Sequence, residues 1–352
     1  MHPPGALYYS GYNIDNIVGQ VTYEEIVHLL LHNELPNKRE LDETSLALFS
    51  EMTLPDQVIE RLKSTSPYSH PMEILRTEVS HLGEFDPKSN DNSNSANRRR
   101  AIRLIAKIPA IVSVFHRVRT KKAPVAPKKE FGFAENFLYM FRGKKVDQKE
   151  RTTLERYMIL HADHGLNAST FAARVTASTN SDMYSCITSA IGTLKGPLHG
   201  GASEQVMKLL SEINSLDGVE SYIQGMLDDK QRIMGFGHRV YKTEDPRSKH
   251  LRSLAKALCK EKGMESIYKK CRKIEDTVRK RKGIFPNVDF YAAVVMNALG
   301  IPIEFFTSFF ASSRVAGWVA HVLEQYSDAV LIRPTSKYVG GFKRKIVPIE
   351  NR

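Results

Sequence analysis

Residues 22–33 read TYEEIVHLLLHN, and this stretch sets the helical reading of the whole chain. Its apolar positions recur with a period near 3.6. Thr22 stands as an N-cap, Glu25 three residues later completes a capping box, and Pro36 stops the run. Working outward, Asp42–Glu51, Pro55–Ser64, Met72–Leu82, Arg99–Val118, Phe133–Arg142 and Lys149–Ala162 carry the same periodicity between Pro, Gly or polar breaks. Residues 87–100, PKSNDNSNSANRRR, read as an exposed loop, and 121–132, KKAPVAPKKEFG, as a proline-stiffened connection. From Leu166 to Leu194 small residues abound, among them Ala168, Ala172, Ala173, Ala177 and Ala190, which lets helices approach closely. Two readings stay open there, a tight core or a helical dimer seam. Ser203–Ile213, Glu220–Met226, Ser248–Lys262 and Met264–Lys282 form a charged helical block; Phe290–Gly300 and Ile303–Tyr326 return to apolar helix. Period-2 alternation is scarce. The fold class expected is therefore all-α, with a smaller domain at residues 203–302 set into a larger one made of 1–202 and 303–352.

Composition narrows the function. A chain of 352 residues with 41% hydrophobic content can bury a large core with a smaller companion, which excludes disorder as a whole. Cys186, Cys259 and Cys271 show no CxxC spacing and read as packing residues in a reducing compartment. The N-terminal MHPPGALYYSGYN has no basic start followed by an apolar core, and no apolar run reaches 18 residues. A cytoplasmic protein with no membrane partner is expected. The net charge of +12 concentrates in Arg98–Arg100 and Arg279–Lys282, without helix-turn-helix, zinc-finger or RNP-like patterns. We read it as solvated surface or as a field for small anions, with no nucleic-acid partner. His161 with His164 and His28 with His32 have helix-compatible spacings but no HExxH form, so no metal is expected.

Four segments carry chemistry: HADHGLNAST at 161–170, GPLHGGAS at 196–203, GFGHRVYKTEDPR at 235–247 and PNVDFY at 286–291. Together they suit removal of a proton from carbon beside a carbonyl, with one carboxylate as base and neutral donors to stabilise the enol. His199 lies between glycines at the start of a helix, where imidazole tends to stay neutral and to donate a hydrogen bond. Gly235-Phe236-Gly237 before His238 is neither a dinucleotide fingerprint, since Val240 stands where a third glycine belongs, nor a Walker loop. It can expose backbone to an adenine or a phosphate chain. Arg247, after Pro246, can fork onto a carboxylate or form a surface ion pair with Asp245. Asp289 reads either as a base whose pKa burial raises or as a cap for a helix beginning at Phe290. Phe310, Arg314 and Trp318 share a helix face with no acid three or four residues away, so a buried Arg314 calls for an anionic ligand. Arg333 sits before Pro334 in another rigid turn.

In this order the segments resemble the citrate synthase family. SHPMEILRTEVSHLG, AENFLYMFRGKK, LHADHGLNASTFAARV, LKGPLHGGASEQVM, IMGFGHRVYKTEDPR, PNVDFYAAVV, SRVAGWVAHVLEQY and LIRPTSKYVG extend the resemblance over nearly the whole chain. It implies an all-helical homodimer whose small domain closes over oxaloacetate, with acetyl-CoA as a thioester co-substrate and no tightly bound cofactor. Asp289 matches the base, His199 the donor to the thioester oxygen, and His238 the histidine that polarises the ketone. His164, Arg247 and Arg314 would hold oxaloacetate, joined by Arg333 from the partner subunit. Ile233, Met234, Gly235, Phe236 and Gly237 look like the CoA-adenine loop, and Lys282 matches a CoA-phosphate contact. A 2-methylcitrate synthase using propionyl-CoA is the alternative on this scaffold, and a silent nucleic-acid-binding relative a remote one. The family's strand-bearing leader is expected to be missing, since the chain starts near LYYSGYNI. Ser10, Gly165 and Gly341 stand where the family commonly has arginine, glutamate and proline.

Overall fold

The structure, a computed structural model, describes residues 5–89 and 91–352. The first four residues of the N-terminal segment and Asn90 of the 87–100 stretch lie outside it. A short hairpin, β1 (Tyr8–Tyr9) with β2 (Tyr12–Asn13), precedes the helices α1 (Ile14–Ile17), α2 (Tyr23–His32), α3 (Lys38–Glu51), α4 (Asp56–Ser64) and α5 (Pro71–Leu82). Then come α6 (Asn94–Arg119), α7 (Phe133–Arg142), α8 (Gln148–His161), α9 (Ala168–Ala177) and α10 (Met183–Leu194). The remainder is α11 (Ala202–Glu212), α12 (Val219–Asp228), α13 (Pro246–Glu261), α14 (Glu265–Lys282), α15 (Val288–Ala298) and α16 (Phe306–Asp328). None of these helices is long and apolar enough to cross a membrane.

The capping box at the head of α2 forms as its sequence requires: the Thr22 side chain accepts from the Glu25 N–H, and Glu25 accepts from the Thr22 N–H at 2.6 Å. The same device starts α3 four residues earlier than expected, with Asn37 as N-cap and Glu40 completing the box. Helix α6 likewise begins at Asn94, inside the segment read as a loop. Ser93 caps it, and Arg100 leaves the expected basic surface cluster to become buried. Its Nε donates to Asp86 at 2.7 Å and its other nitrogens to the Lys88, Asp91 and Asn97 oxygens. The guanidinium thus satisfies the carbonyls of the preceding turn, which a charge count along the sequence does not reveal.

Helix α16 is the axis of the core. Trp318 and Arg314 are among its largest fully enclosed side chains, and α2, α5, α6, α8, α9, α10 and α11 pack around it. The alanine-rich stretch becomes two helices, α9 and α10, lying against each other, with turn residues 178–182 between them. Gly317 sets how close α16 comes to the end of α8. Its N–H donates to the Ala162 carbonyl at 3.0 Å, and a Cβ there would stand 2.4 Å from that oxygen. Helices α11 to α15 pack on one another and meet the other helices chiefly through α16, α8 and α1. After α16 the chain runs to Arg352 in an exposed, irregular segment displaying Leu331, Tyr338, Val339, Phe342 and Ile346.

Arg100→Ala takes the nearer cation from Asp86, leaving Arg103 at 3.6 Å, and strips the donor from the Lys88 and Asp91 carbonyls at once. We expect a loss of about 3 kcal/mol of unfolding free energy in urea titrations; a change below about 0.5 kcal/mol would show that the pair is a solvated surface contact.

Candidate active site

The three glycine-flanked histidines come to the ends of three different elements. His199 sits in the turn between α10 and α11, where its N–H donates to the Gly196 carbonyl at 2.9 Å. The Ser169 N–H, in the first turn of α9, points at His199 Nε2 from 3.3 Å, and the Ser169 hydroxyl lies 2.8 Å from the same nitrogen. A backbone N–H can only donate, so Nε2 is the acceptor and the ring proton resides on Nδ1. Trp318 Nε1, donating to Ser169 Oγ at 3.1 Å, locks that serine from α16. Burial, then the Arg314 charge, push the His199 pKa down to about 4. This histidine is neutral near pH 7, with one N–H to offer.

His238 resolves to the opposite tautomer. Its Nδ1 accepts from the Val240 and Tyr241 N–H groups at 3.0 and 3.1 Å, which leaves the proton on Nε2, 4.0 Å from Asp245 Oδ2. Burial and the nearby Arg247 keep its pKa low. His164 lies edge-on to His238 with ring centroids 5.2 Å apart, and its Nε2 is 3.1 Å from the Tyr241 hydroxyl. Its pKa is also held well below the ordinary value, by burial and by Arg247 and Arg314.

The backbone that carries these groups is fixed by two short connections. Gly235 has a φ of +81, and a Cβ on it would approach Phe290 and Val206 to 2.9 Å, so only glycine lets the 233–237 loop lie on α15 and α11. The loop pairs with residues 285–287: Gly237 N–H donates to the Phe285 carbonyl and Asn287 N–H to the Gly235 carbonyl, both at 2.9 Å. Ile233 and Phe236 are buried within it. Asn287, not Asp289, caps α15, its side chain accepting from the Asp289 N–H at 3.0 Å. The capping reading of Asp289 is thereby corrected. Freed from capping, the Asp289 carboxyl has its pKa pushed up to about 7 by burial, against the pull of Arg247 and Arg314.

Arg247 does pair with Asp245, but the pair is buried and not at the surface, which corrects the second expectation. Its Nε and Nη2 meet the two carboxylate oxygens at 3.0 and 2.8 Å. Asp245 also accepts from the Arg247 N–H at 3.0 Å and the Val288 N–H at 3.1 Å, joining the starts of α13 and α15. Burial alone would raise this carboxyl; the charge and hydrogen bonds of Arg247 outweigh it and hold the pKa below the usual range. Among the described residues Arg314 makes no such ion pair, although the Asp163 and Asp289 carboxyls act on it electrostatically. Its Nε donates to the His161 carbonyl at 2.5 Å, its plane covers the Phe310 ring at 4.8 Å, and Nη2 is buried with no hydrogen bond. Burial and repulsion from Arg247 lower its pKa to about 10.

Two expected residues stand apart from this group within one chain. Arg333 is exposed in the terminal segment, with Nη1 donating to the Pro334 carbonyl at 2.9 Å, and Lys282 is exposed at the end of α14. Conversely, the residue reading passed over three groups: Ser169, Tyr241, and Asp245 as a junction. His161 is fully buried, with Nδ1 2.8 Å from the Tyr157 carbonyl and its ring stacked on that of Tyr157. Nothing in spacing alone marks these contacts, which join positions 30 to about 150 residues apart.

An almost wholly helical scaffold of this length, with a carboxyl near neutrality under the charges of two buried guanidiniums and with neutral imidazoles beside one of them, defines an acid–base enzyme class. The family profile described as "Citrate synthase, C-terminal domain" matches residues 2–335, and the chain belongs to the citrate synthase family. It is 50% identical over 347 residues to "Citrate synthase 2" of Bacillus subtilis strain 168, covering 98% of this chain and 93% of that one. A second protein of that organism, "Citrate/2-methylcitrate synthase", is 40% identical, with 94% and 89% covered. Among solved structures, the citrate synthase of Thermoplasma acidophilum, in ternary complex with carboxymethyl coenzyme A and oxaloacetate, superposes with a TM-score of 0.94 at 36% identity, covering 99% of this chain and 93% of that one.

The depressed pKa of His199 has a measurable consequence. Above about pH 6.5 the folded and unfolded chains are both neutral there; as pH falls towards 4 the unfolded chain takes up a proton that the folded one refuses, and stability declines. NMR titration of ring-labelled protein, assigned with His199→Gln, should give a midpoint near 4 for this histidine. A midpoint near 6.5 would contradict the enclosed, neutral ring.

Proposed function

We propose that the chain condenses the methyl carbon of acetyl-CoA with the ketone carbon of oxaloacetate and hydrolyses the resulting citryl-CoA to citrate and CoA. The observation that carries this reading is Arg314. It is a buried guanidinium that makes no ion pair with a carboxylate among the described residues, close enough to Asp289, a carboxyl that titrates near 7, for the two charges to act on each other. Such a charge calls for a small anion, and such a carboxyl can act as a base at neutral pH. Asp289 takes a proton from the thioester methyl group while His199 donates its Nδ1–H to the thioester oxygen, and the enol forms. The enol carbon then attacks the ketone of oxaloacetate, whose oxygen receives a hydrogen bond from His238 Nε2–H. Water cleaves the thioester, and CoA leaves as the thiol. Arg314, Arg247 and His164 hold the oxaloacetate carboxylates.

In the same reading, residues 233–237 receive the CoA adenine and Lys282 a CoA phosphate, which gives part of the +12 charge its use. Residues 203–302 act as a smaller domain that closes on the substrates. Two chains pair, with the apolar terminal segment lying on the partner and delivering Arg333 to its site. Acetyl-CoA is consumed as a co-substrate, no tightly bound cofactor is needed, and the protein works in the cytoplasm. The identity to a relative named for both citrate and 2-methylcitrate supports a second acyl donor, propionyl-CoA.

Release of free thiol on mixing enzyme, oxaloacetate and either thioester tests this directly. We expect a higher kcat/KM with acetyl-CoA; a clear propionyl preference would make the chain a 2-methylcitrate synthase, and no thiol release would refute both. Asp289→Ala should lower kcat by about 10³-fold while oxaloacetate still binds, as loss of a general base does. For the parent enzyme, kcat should rise with pH through about 7 as Asp289 loses its proton.

A further inference from the structure

Tyr241 touches both His164 and His238. Its backbone N–H donates to His238 Nδ1 at 3.1 Å and, with the Val240 N–H, confines the His238 proton to Nε2. Its ring lies over the His238 ring with centroids 4.5 Å apart and planes inclined at 32°. Its hydroxyl stands 3.1 Å from His164 Nε2, and the ring is edge-on to His164 at 5.5 Å. The three rings form a closed set, since His164 and His238 are themselves in edge contact. One residue therefore fixes the tautomer of one histidine and the orientation of the other.

The hydroxyl suits this task because it can donate or accept. Burial, Arg247 and Arg314 keep His164 neutral, and a neutral imidazole carries one proton on either nitrogen. Burial also raises the Tyr241 pKa, so the phenol stays protonated. A phenylalanine at 241 would keep the ring contacts and the backbone N–H but would leave His164 Nε2 without its partner. The half-buried imidazole would then be free to turn away from the guanidiniums of Arg247 and Arg314, the side from which an anionic substrate is held.

We propose that Tyr241 is a positioning residue for oxaloacetate: its hydroxyl holds His164, and its ring and N–H hold His238, in the arrangement that receives the keto acid. The inference rests on the condensation proposed above. It concerns binding of the keto acid, since the Tyr241 hydroxyl meets His164 and makes no contact with Asp289 or His199 among the described residues.

Steady-state kinetics of Tyr241→Phe and Tyr241→Leu, with each substrate varied in turn, separate this role from a structural one. For Tyr241→Phe we expect KM for oxaloacetate to rise about 3- to 10-fold, the span a neutral hydrogen bond accounts for, with kcat and KM for acetyl-CoA within about twofold. Tyr241→Leu, which also removes the ring from His238, should lower kcat as well. An unchanged oxaloacetate KM in Tyr241→Phe overturns the proposal, as does a parallel loss in all constants with a lowered Tm, which would mark a packing residue. A parent enzyme that releases no thiol from acetyl-CoA and oxaloacetate would instead overturn the underlying reading of the reaction.

Discussion

Asp245 is the joint on which the arrangement of the site rests. A single buried carboxylate accepts from the Arg247 side chain through two nitrogens, from the Arg247 N–H at the head of α13, and from the Val288 N–H at the head of α15. It also stands 4.0 Å from the proton-bearing nitrogen of His238. The first turn of α15 carries Asp289, so the same carboxylate sets the distance between a cation, an acid and an imidazole. A buried carboxylate is tolerable only when its lone pairs are used. Here four N–H donors use them, and the helices that supply the donors cannot shift independently.

This joint also leaves an imbalance. Arg247 and Arg314 act on each other electrostatically, yet Asp245 pairs with the first alone. Arg314 is held by a carbonyl and an aromatic face, and the carboxyls that act on it, Asp163 and Asp289, make no ion pair with it among the described residues. Burial and the Arg247 charge lower its pKa to about 10, which still leaves it cationic at neutral pH. Arg247 and Arg314 oppose the burial that raises Asp289, while Asp245 adds to it. The carboxyl settles near 7 because burial and the Asp245 charge outweigh the two cations.

Much of this was legible in the residues themselves. The period of TYEEIVHLLLHN carries the helix and its box, and the lack of any acid three or four residues from Arg314 on its helix matches a guanidinium whose Nη2 is buried without a hydrogen bond. What escaped was tertiary. Arg100 looked like part of a surface cluster because a guanidinium reaching back to the turn before its helix leaves no periodic trace. Asp289 could be read as base or as cap, and what decides against the cap is that Asn287, two residues earlier, takes the capping position. Ser169 and Tyr241 lie inside two of the quoted segments, but their side-chain partners, His199 and His164, are 30 and 77 residues away, which spacing does not show. Gly317 is similar: its necessity comes from the Ala162 carbonyl, not from its own neighbours.

We propose that Arg314 is kept free of an ion pair inside the protein so that a substrate carboxylate can pair with it. Calorimetric titration of oxaloacetate into the parent protein and Arg314→Met, with thermal unfolding of both, tests it. Losing a charge-assisted contact should weaken binding by about 10- to 100-fold, while Tm stays level or rises because an uncompensated buried charge is gone. Affinity within about threefold of the parent, or a marked fall in Tm, would show that Arg314 serves the fold and not the ligand.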